Sequence, residues 1–422
     1  LYKHYWSFYW PLALTTCLML LGMQVFNGIL ARYPNAEYEL AVMAYALSTV
    51  LFLEIATVFM PQMVTVYARS KLARRKVFIF CVSLGVLFSI PILLLAITAG
   101  GNQFLSSAFQ IKGDMLAYVA SYLLYLTPLI VIRSFYQFCV GLLTQVNRTK
   151  WVSVSAFVGV VIGVAAALIG FNTGWTAQQS MVAAQLGSTF CSAVFALMVC
   201  KFLYQPQPVE GFDEPGYKTL IKFFWPVSLS GMSFGISRPL LYAFISRTPD
   251  AIVTIAALRV AFDFFMMVQL AVNQFRSFFP GLGLEDMDKK RRFIAVVTGS
   301  LMLVMAVCIL TPLDRVIFHH MLGLDGRLFD IATQAAMVML GTPIILAIRN
   351  YYHSLLLAYK RTNSMAVGSA SRVGLIIACA WLFLELGWLN HWTAPLVMII
   401  SFSSELLVSW LAVRGIERQR QA

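Results

Sequence analysis

Apolar residues run along this chain in stretches of about 20 or more, separated by short polar segments. Lipid selects that pattern, because a backbone in hydrocarbon must satisfy its hydrogen bonds internally and therefore crosses as a helix. The stretches cover 8–31, 40–67, 77–99, 115–143, 151–171, 176–202, 220–246, 251–280, 293–311, 329–359, 365–387 and 392–413. They predict an all-α integral membrane protein with twelve spans. The first stretch is too long, and too closely followed by others, to be a cleaved leader.

An internal repeat organises the spans. Phe8-Tyr9-Trp10-Pro11 matches Phe223-Phe224-Trp225-Pro226 at an offset of 215, and Arg32 and Arg247 follow at the same offset. The register returns at Phe59-Met60-Pro61 against Phe278-Phe279-Pro280, with four extra residues in the second copy. It returns again at Leu126-Thr127-Pro128 with Arg133 against Gly341-Thr342-Pro343 with Arg349. These matches predict two pseudo-symmetric six-helix bundles with a central cavity, over 1–203 and 220–422, joined by a cytoplasmic linker at 204–219. An even number of spans per half relates the halves by an axis along the membrane normal, a plan suited to alternating access.

Composition agrees with the pattern: 60% of residues are hydrophobic and 12% charged, against roughly 45–50% and 25% in soluble domains. Charge adds orientation. The termini and the loops after spans 2, 4, 6, 8 and 10, with Lys201 and Lys222 at the adjoining span ends, hold 20 Lys/Arg and the opposite loops five, which puts both termini in the cytoplasm. The net charge of +13 follows from that bias and implies no nucleic-acid partner. The seven cysteines lie in spans without metal spacing and read as small packing residues. Gly231-Met232-Ser233-Phe234-Gly235 has the form of a hydrolase elbow but lies inside a span. Gly159 and Gly163 read as a close helix contact. No metal site, cofactor or enzymatic motif is expected.

The chemistry is in the intramembrane charges. An arginine at a span centre costs about 2.5–3.5 kcal/mol and needs a partner, a wet cavity or a substrate. Arg238 and Arg259 flank the turn near Pro249 by 11 and 10 residues, so both lie about 15 Å below the outer surface. Arg133 and Arg349 fall near the middles of long spans that Pro128 and Pro343 can kink. Arg259, Asp263, Gln269, Asn273 and Arg276 occupy one helical face. The anticipated substrate site comprises Arg238, Arg259, Arg276, Arg349, Asn273 and Gln274, with Arg133, Asn27 and Gln24 from the first half. Its guanidinium groups suit carboxylates or phosphates. Asp263, Glu54, Glu405 and His353 are candidates for coupling to a proton or sodium ion. A plainer reading has Arg259 neutralised by Asp263 four residues on, and Arg133 and Arg349 paired with Glu54 or Glu405.

At His4-Tyr5-Trp6 with Trp10-Pro11, Phe224-Trp225-Pro226 with Ile236-Ser237-Arg238-Pro239 and Ser246-Arg247, and Arg276-Ser277-Phe278-Phe279-Pro280, the sequence resembles the progressive ankylosis protein family of animals and bacteria. The resemblance implies the fold of the multidrug, oligosaccharidyl-lipid and polysaccharide exporter superfamily, and export of polyanions such as citrate, malate, ATP or pyrophosphate. Animal members carry a longer acidic tail and an acid where this chain has Gln274. A monomer in a bacterial inner membrane is expected, with a small anionic substrate and membrane lipid as its partners. The alternatives are a multidrug or lipid-linked-substrate exporter of the same superfamily, a major-facilitator protein, a membrane-embedded transferase, and a receptor or scaffold without transport.

Overall fold

The computed structural model describes residues 2–30, 32–109, 111–205, 214–321, 324 and 326–421, without the side chains of 20, 21, 23, 24, 27, 36, 37, 40, 41, 252, 256, 321, 420 and 421. Among the described residues there is no strand. Helices α1 (Tyr2–Leu30), α2 (Ala36–Glu54), α3 (Met60–Tyr67), α4 (Lys71–Ile97), α5 (Ala99–Phe109), α6 (Gly113–Leu126), α7 (Pro128–Gln145), α8 (Thr149–Asn172) and α9 (Ala177–Leu203) precede the linker. After it come α10 (Tyr217–Ile245), α11 (Ala251–Asn273), a 3₁₀ turn (Gln274–Ser277), α12 (Phe278–Leu282), α13 (Met287–Leu310), a π-helical turn (Arg315–Met321), α14 (Gly326–Met339), α15 (Thr342–Ala358), α16 (Asn363–Glu385) and α17 (Thr393–Gln421). Linker residues 206–213 lie outside the described residues.

Eight of the described helical segments are long and apolar enough to cross a membrane, nine if α14 and α15 form one span bent by 41°. This is a multipass membrane protein. Several apolar stretches divide where proline enters. α6 stops at Thr127 and α7 begins at Pro128; α14 gives way to α15 at Thr342-Pro343. Proline tolerates a helix's first turn but cannot donate the interior hydrogen bond. The break between α2 and α3 has the same grammar, with Pro61 in the first turn of α3. The anticipated eighth span divides differently: α11 tightens into a 3₁₀ turn before α12.

The chain forms two compact units, one of residues 10–224 and the other of 1–9 with 225–422. These boundaries differ from the repeat halves at matched positions: Tyr9/Trp10 and Phe224/Trp225 are separated by the repeat offset. In the unit that holds 225–422, Tyr9 stacks on Phe275 at 4.8 Å and donates from its hydroxyl to the Ala271 carbonyl at 3.0 Å. Tyr5 and Trp6 sit edge-on to Phe278 and Phe293. In the other unit the leading residues of α10 do the same, Phe223 against Tyr67 at 5.1 Å and Phe224 against Phe80 at 5.9 Å. Such edge and stacked pairs add about 0.5–1.5 kcal/mol each to the apolar burial.

Close helix contact in unit 10–224 depends on small residues. A Cβ on Gly141 of α7 would meet the Val64 side chain of α3 at 2.5 Å and the Pro61 carbonyl oxygen at 2.9 Å. On Gly159 of α8 it would collide with Ser192 of α9, and on Gly163 it would lie 2.9 Å from the Phe26 ring and from Ser188. Lipid gives helices little reason to associate beyond packing and polar contact, so these approaches matter. Gly141→Ala should lower stability by about 1–3 kcal/mol through overpacking. The test is a fall in melting temperature of detergent-purified protein, set beside Gly299→Ala, where a Cβ meets nothing within 4 Å.

Candidate functional site

In the unit of 1–9 and 225–422, four helices converge on Glu405. The helical period places Arg349 and His353 four apart on α15, and Ser369 and Arg372 three apart on α16. Each pair therefore faces one direction, toward Glu405 of α17 and Ser230 of α10. Arg349, Arg372, Glu405, His353, Ser369 and Ser230 are all 0% exposed. Glu405 Oε2 accepts from Arg372 Nη1 at 2.6 Å and from Arg349 Nη1 at 3.1 Å. Its Oε1 accepts from Ser230 Oγ at 3.4 Å and lies 3.2 Å from Ser369 Oγ, which shares its one proton with the Met365 carbonyl at 2.8 Å; His353 Nε2 stands 3.8 Å away.

A second layer of polar contacts backs the first. Asn350 Oδ1 accepts from Arg276 Nε at 2.9 Å and Arg349 Nη2 at 3.1 Å. The Asn350 amide donates to the Val272 carbonyl and to Asn273 Oδ1. Arg276 reaches Asn350 because the 3₁₀ turn carries it off the α11 face. The rings of Phe234 and Phe402 flank both buried guanidinium groups, their centroids 5.9 and 5.5 Å from Arg349 Cζ and 5.5 and 5.6 Å from Arg372 Cζ.

Those two rings also line a small cavity of about 20 Å³, with Arg238, Phe262, Phe265, Gln269, Met339, Thr342, Pro343, Leu346 and Met398. That volume is near what one ordered water needs. Arg238 is anchored there: Nη1 donates to Asp263 Oδ1 at 2.8 Å, Nη2 to the Phe262 carbonyl at 2.7 Å, and Cζ lies over the Phe262 ring at 5.1 Å.

The anticipated site residues separate into different surroundings. Arg238 lines the cavity. Arg259 and Asp263 are exposed, Gln269 is buried and Arg276 is 3% exposed, so the polar stripe of α11 does not face one environment. Asn273 contributes an acceptor to Arg349 and Asn350, and Gln274 is half-buried in the 3₁₀ turn. Arg349 does not line this cavity; it is packed inside its unit, where its Nη1 donates to Glu405. Asp263 pairs with Arg238 and not with Arg259 as the four-residue spacing suggests, since the neighbouring helix α10 brings its guanidinium closer. In unit 10–224, Arg133 Nη1 pairs with Glu54 at 2.5 Å, with Glu54 5% exposed. The side chains of Gln24 and Asn27 lie outside the described residues. Sequence reasoning passed over Arg372, Asn350, Ser230 and Ser369. An arginine seven residues inside an apolar stretch was the available signal for the first. Among the described residues no group of three metal-ligating side chains occurs.

The chain shares its fold with solved transporters of the MOP superfamily. A MOP superfamily transporter from Pyrococcus furiosus, reported with a binding pocket of reversed polarity, superposes with a TM-score of 0.77 at 14% identity, over 98% of this chain and 95% of that one. A MATE transporter of Vibrio cholerae gives 0.77 at 14%, over 99% and 97%. A multidrug resistance MATE family transporter in an outward-facing conformation gives 0.78 at 14%, over 98% and 95%. No protein-family model matches the sequence.

The two kinds of pair should respond differently to loss of the acid. Glu405→Gln leaves two buried arginines without a carboxylate and should cost about 3–5 kcal/mol. Asp263→Asn removes a solvent-reached pair, Asp263 being 60% exposed, and should cost less than about 1 kcal/mol. Thermal unfolding of both variants in the same detergent checks the contrast, and equal losses would contradict it.

Proposed function

We propose that the chain is a membrane exporter that works by alternating access between two six-helix bundles built from the repeat halves, with twelve spans and both termini cytoplasmic. The observation that carries this reading is the likeness to exporters along essentially the whole chain, joined to an arginine at a cavity within the membrane. The substrate class we propose is an organic molecule with an apolar body and an acidic group, for which this cavity, here of about 20 Å³, would open during the transport cycle. Four phenylalanines and two methionines line the cavity beside Arg238, and methionine and aromatic walls adapt to varied apolar shapes. This lining favours a multidrug exporter over a carrier of compact metabolites.

A second reading, export of small polyanions such as citrate, malate, ATP or pyrophosphate, is favoured by the excess of arginine in this bundle and by the progressive ankylosis resemblance. The Pyrococcus furiosus transporter supports the idea that this fold accepts a pocket of inverted polarity.

Coupling falls to Asp263, the acid that is both solvent-reached and bonded to a cavity arginine. Release of the Asp263 pair would free the Arg238 guanidinium for an anion, which would link this acid to substrate binding. Glu405 and Glu54 are held by arginines and serve the fold. The protein would act as a monomer in a bacterial inner membrane.

Reconstituted vesicles loaded with a lipophilic organic anion, a lipophilic cation, citrate or ATP distinguish the readings. Efflux of the organic anion should exceed the others, and Arg238→Ala should reduce it by about tenfold, as expected for loss of one charge-assisted hydrogen bond. Asp263→Asn should remove the response to a pH gradient. Preferential efflux of citrate and ATP would support the second reading, and no efflux of any compound under pH or sodium gradients would end both.

A further inference from the structure

The charges around Glu405 do not balance. Arg349 and Arg372 both direct their ion pairs to this one carboxylate, and all three are 0% exposed. Two positive charges against one negative leave a surplus in a low-dielectric interior, where an uncompensated ion costs several kcal/mol. The carboxylate supplies one negative charge, and its Oε2 already accepts from both guanidinium groups. Arg276 raises the positive potential further, since it shares the Asn350 Oδ1 acceptor with Arg349.

Hydrogen bonding shows the same excess of donors. Arg349 Nε, Arg372 Nε and both ring nitrogens of His353 are buried without a hydrogen-bond partner. Buried donors are paired in all but a few cases, and exceptions ask for an explanation. Two unpaired guanidinium N–H groups, an imidazole and a net positive charge are the elements of an anion site.

We infer that this cluster binds a small inorganic anion of the halide class, held by Arg349, Arg372 and His353. Size follows from burial: Arg349, Arg372 and His353 are all 0% exposed, and a compact monovalent ion matches the one surplus charge. Phe234 and Phe402 lie against both guanidinium groups and also form part of the cavity wall, so in this proposal the anion enters past these rings. The anion is a structural counter-ion of this bundle, distinct from any transported substrate at Arg238.

The experiment is thermal unfolding of the whole protein, followed by tryptophan fluorescence while sodium chloride replaces sodium gluconate at constant ionic strength. A saturable rise in melting temperature is expected, because a ligand that binds the folded state stabilises it by mass action. Bromide should act similarly and give an anomalous-scattering peak beside Arg349 and Arg372 in crystals. Two substitutions neutralise the surplus by opposite means, Arg372→Met by removing a cation and His353→Glu by adding an anion. Each should flatten the chloride response. Identical melting in chloride and gluconate for the native protein overturns the inference even if neither variant folds. A chloride response that survives both variants, or a bromide peak elsewhere with none at the cluster, overturns it as well.

Discussion

One carboxylate holds the second bundle together. Glu405 is the acceptor on which side chains from α10, α15 and α16 converge, and each of them would be a liability in lipid without it. Two arginines buried alone would favour partial unwinding or hydration of the bundle, whereas grouped on Glu405 they become directional ties between helices that apolar packing alone would let slide. The other unit uses a simpler version: Arg133 of α7 meets Glu54 at the end of α2. In both, the arginine follows a proline-broken start of a helix by five or six residues, so the kink and the ion pair are parts of one local design.

This arrangement separates stability from substrate chemistry. Arg349 and Arg372 are buried on Glu405, whereas the Arg238 and Asp263 pair lies beside a cavity lined by aromatic rings, with the Asp263 side chain 60% exposed. A site that must load and release favours contacts of modest strength, and the helices carrying it favour contacts that do not exchange.

The helical architecture was legible in the sequence because long apolar runs have few alternatives in lipid, and the helix breaks were legible because proline announces them. The candidate site was legible in part. Arg349, Glu405, Arg133 and Glu54 stood out as intramembrane charges, and their pairing was available as the plainer of two readings. The partner of Asp263 was not, because the four-residue spacing to Arg259 is visible in one helix while the approach of Arg238 is set by the packing of two. Arg372, Asn350 and the two serines were hidden for a related reason: their significance comes from convergence on Glu405, which residue spacing along any single helix does not encode. The 3₁₀ turn at 274–277 likewise redirects Arg276 in a way that a uniform helical period conceals.

The exchange of leading segments has a consequence for how the polypeptide can be divided. A cut in the linker would separate the duplicated sequences but not the compact bodies, since the first nine residues would stay with the wrong fragment and the opening turns of α10 would leave with the other. Each fragment would carry aromatic side chains whose burial sites lie on its counterpart. Each repeat copy thus leaves its opening residues in the compact unit built mainly from the other copy.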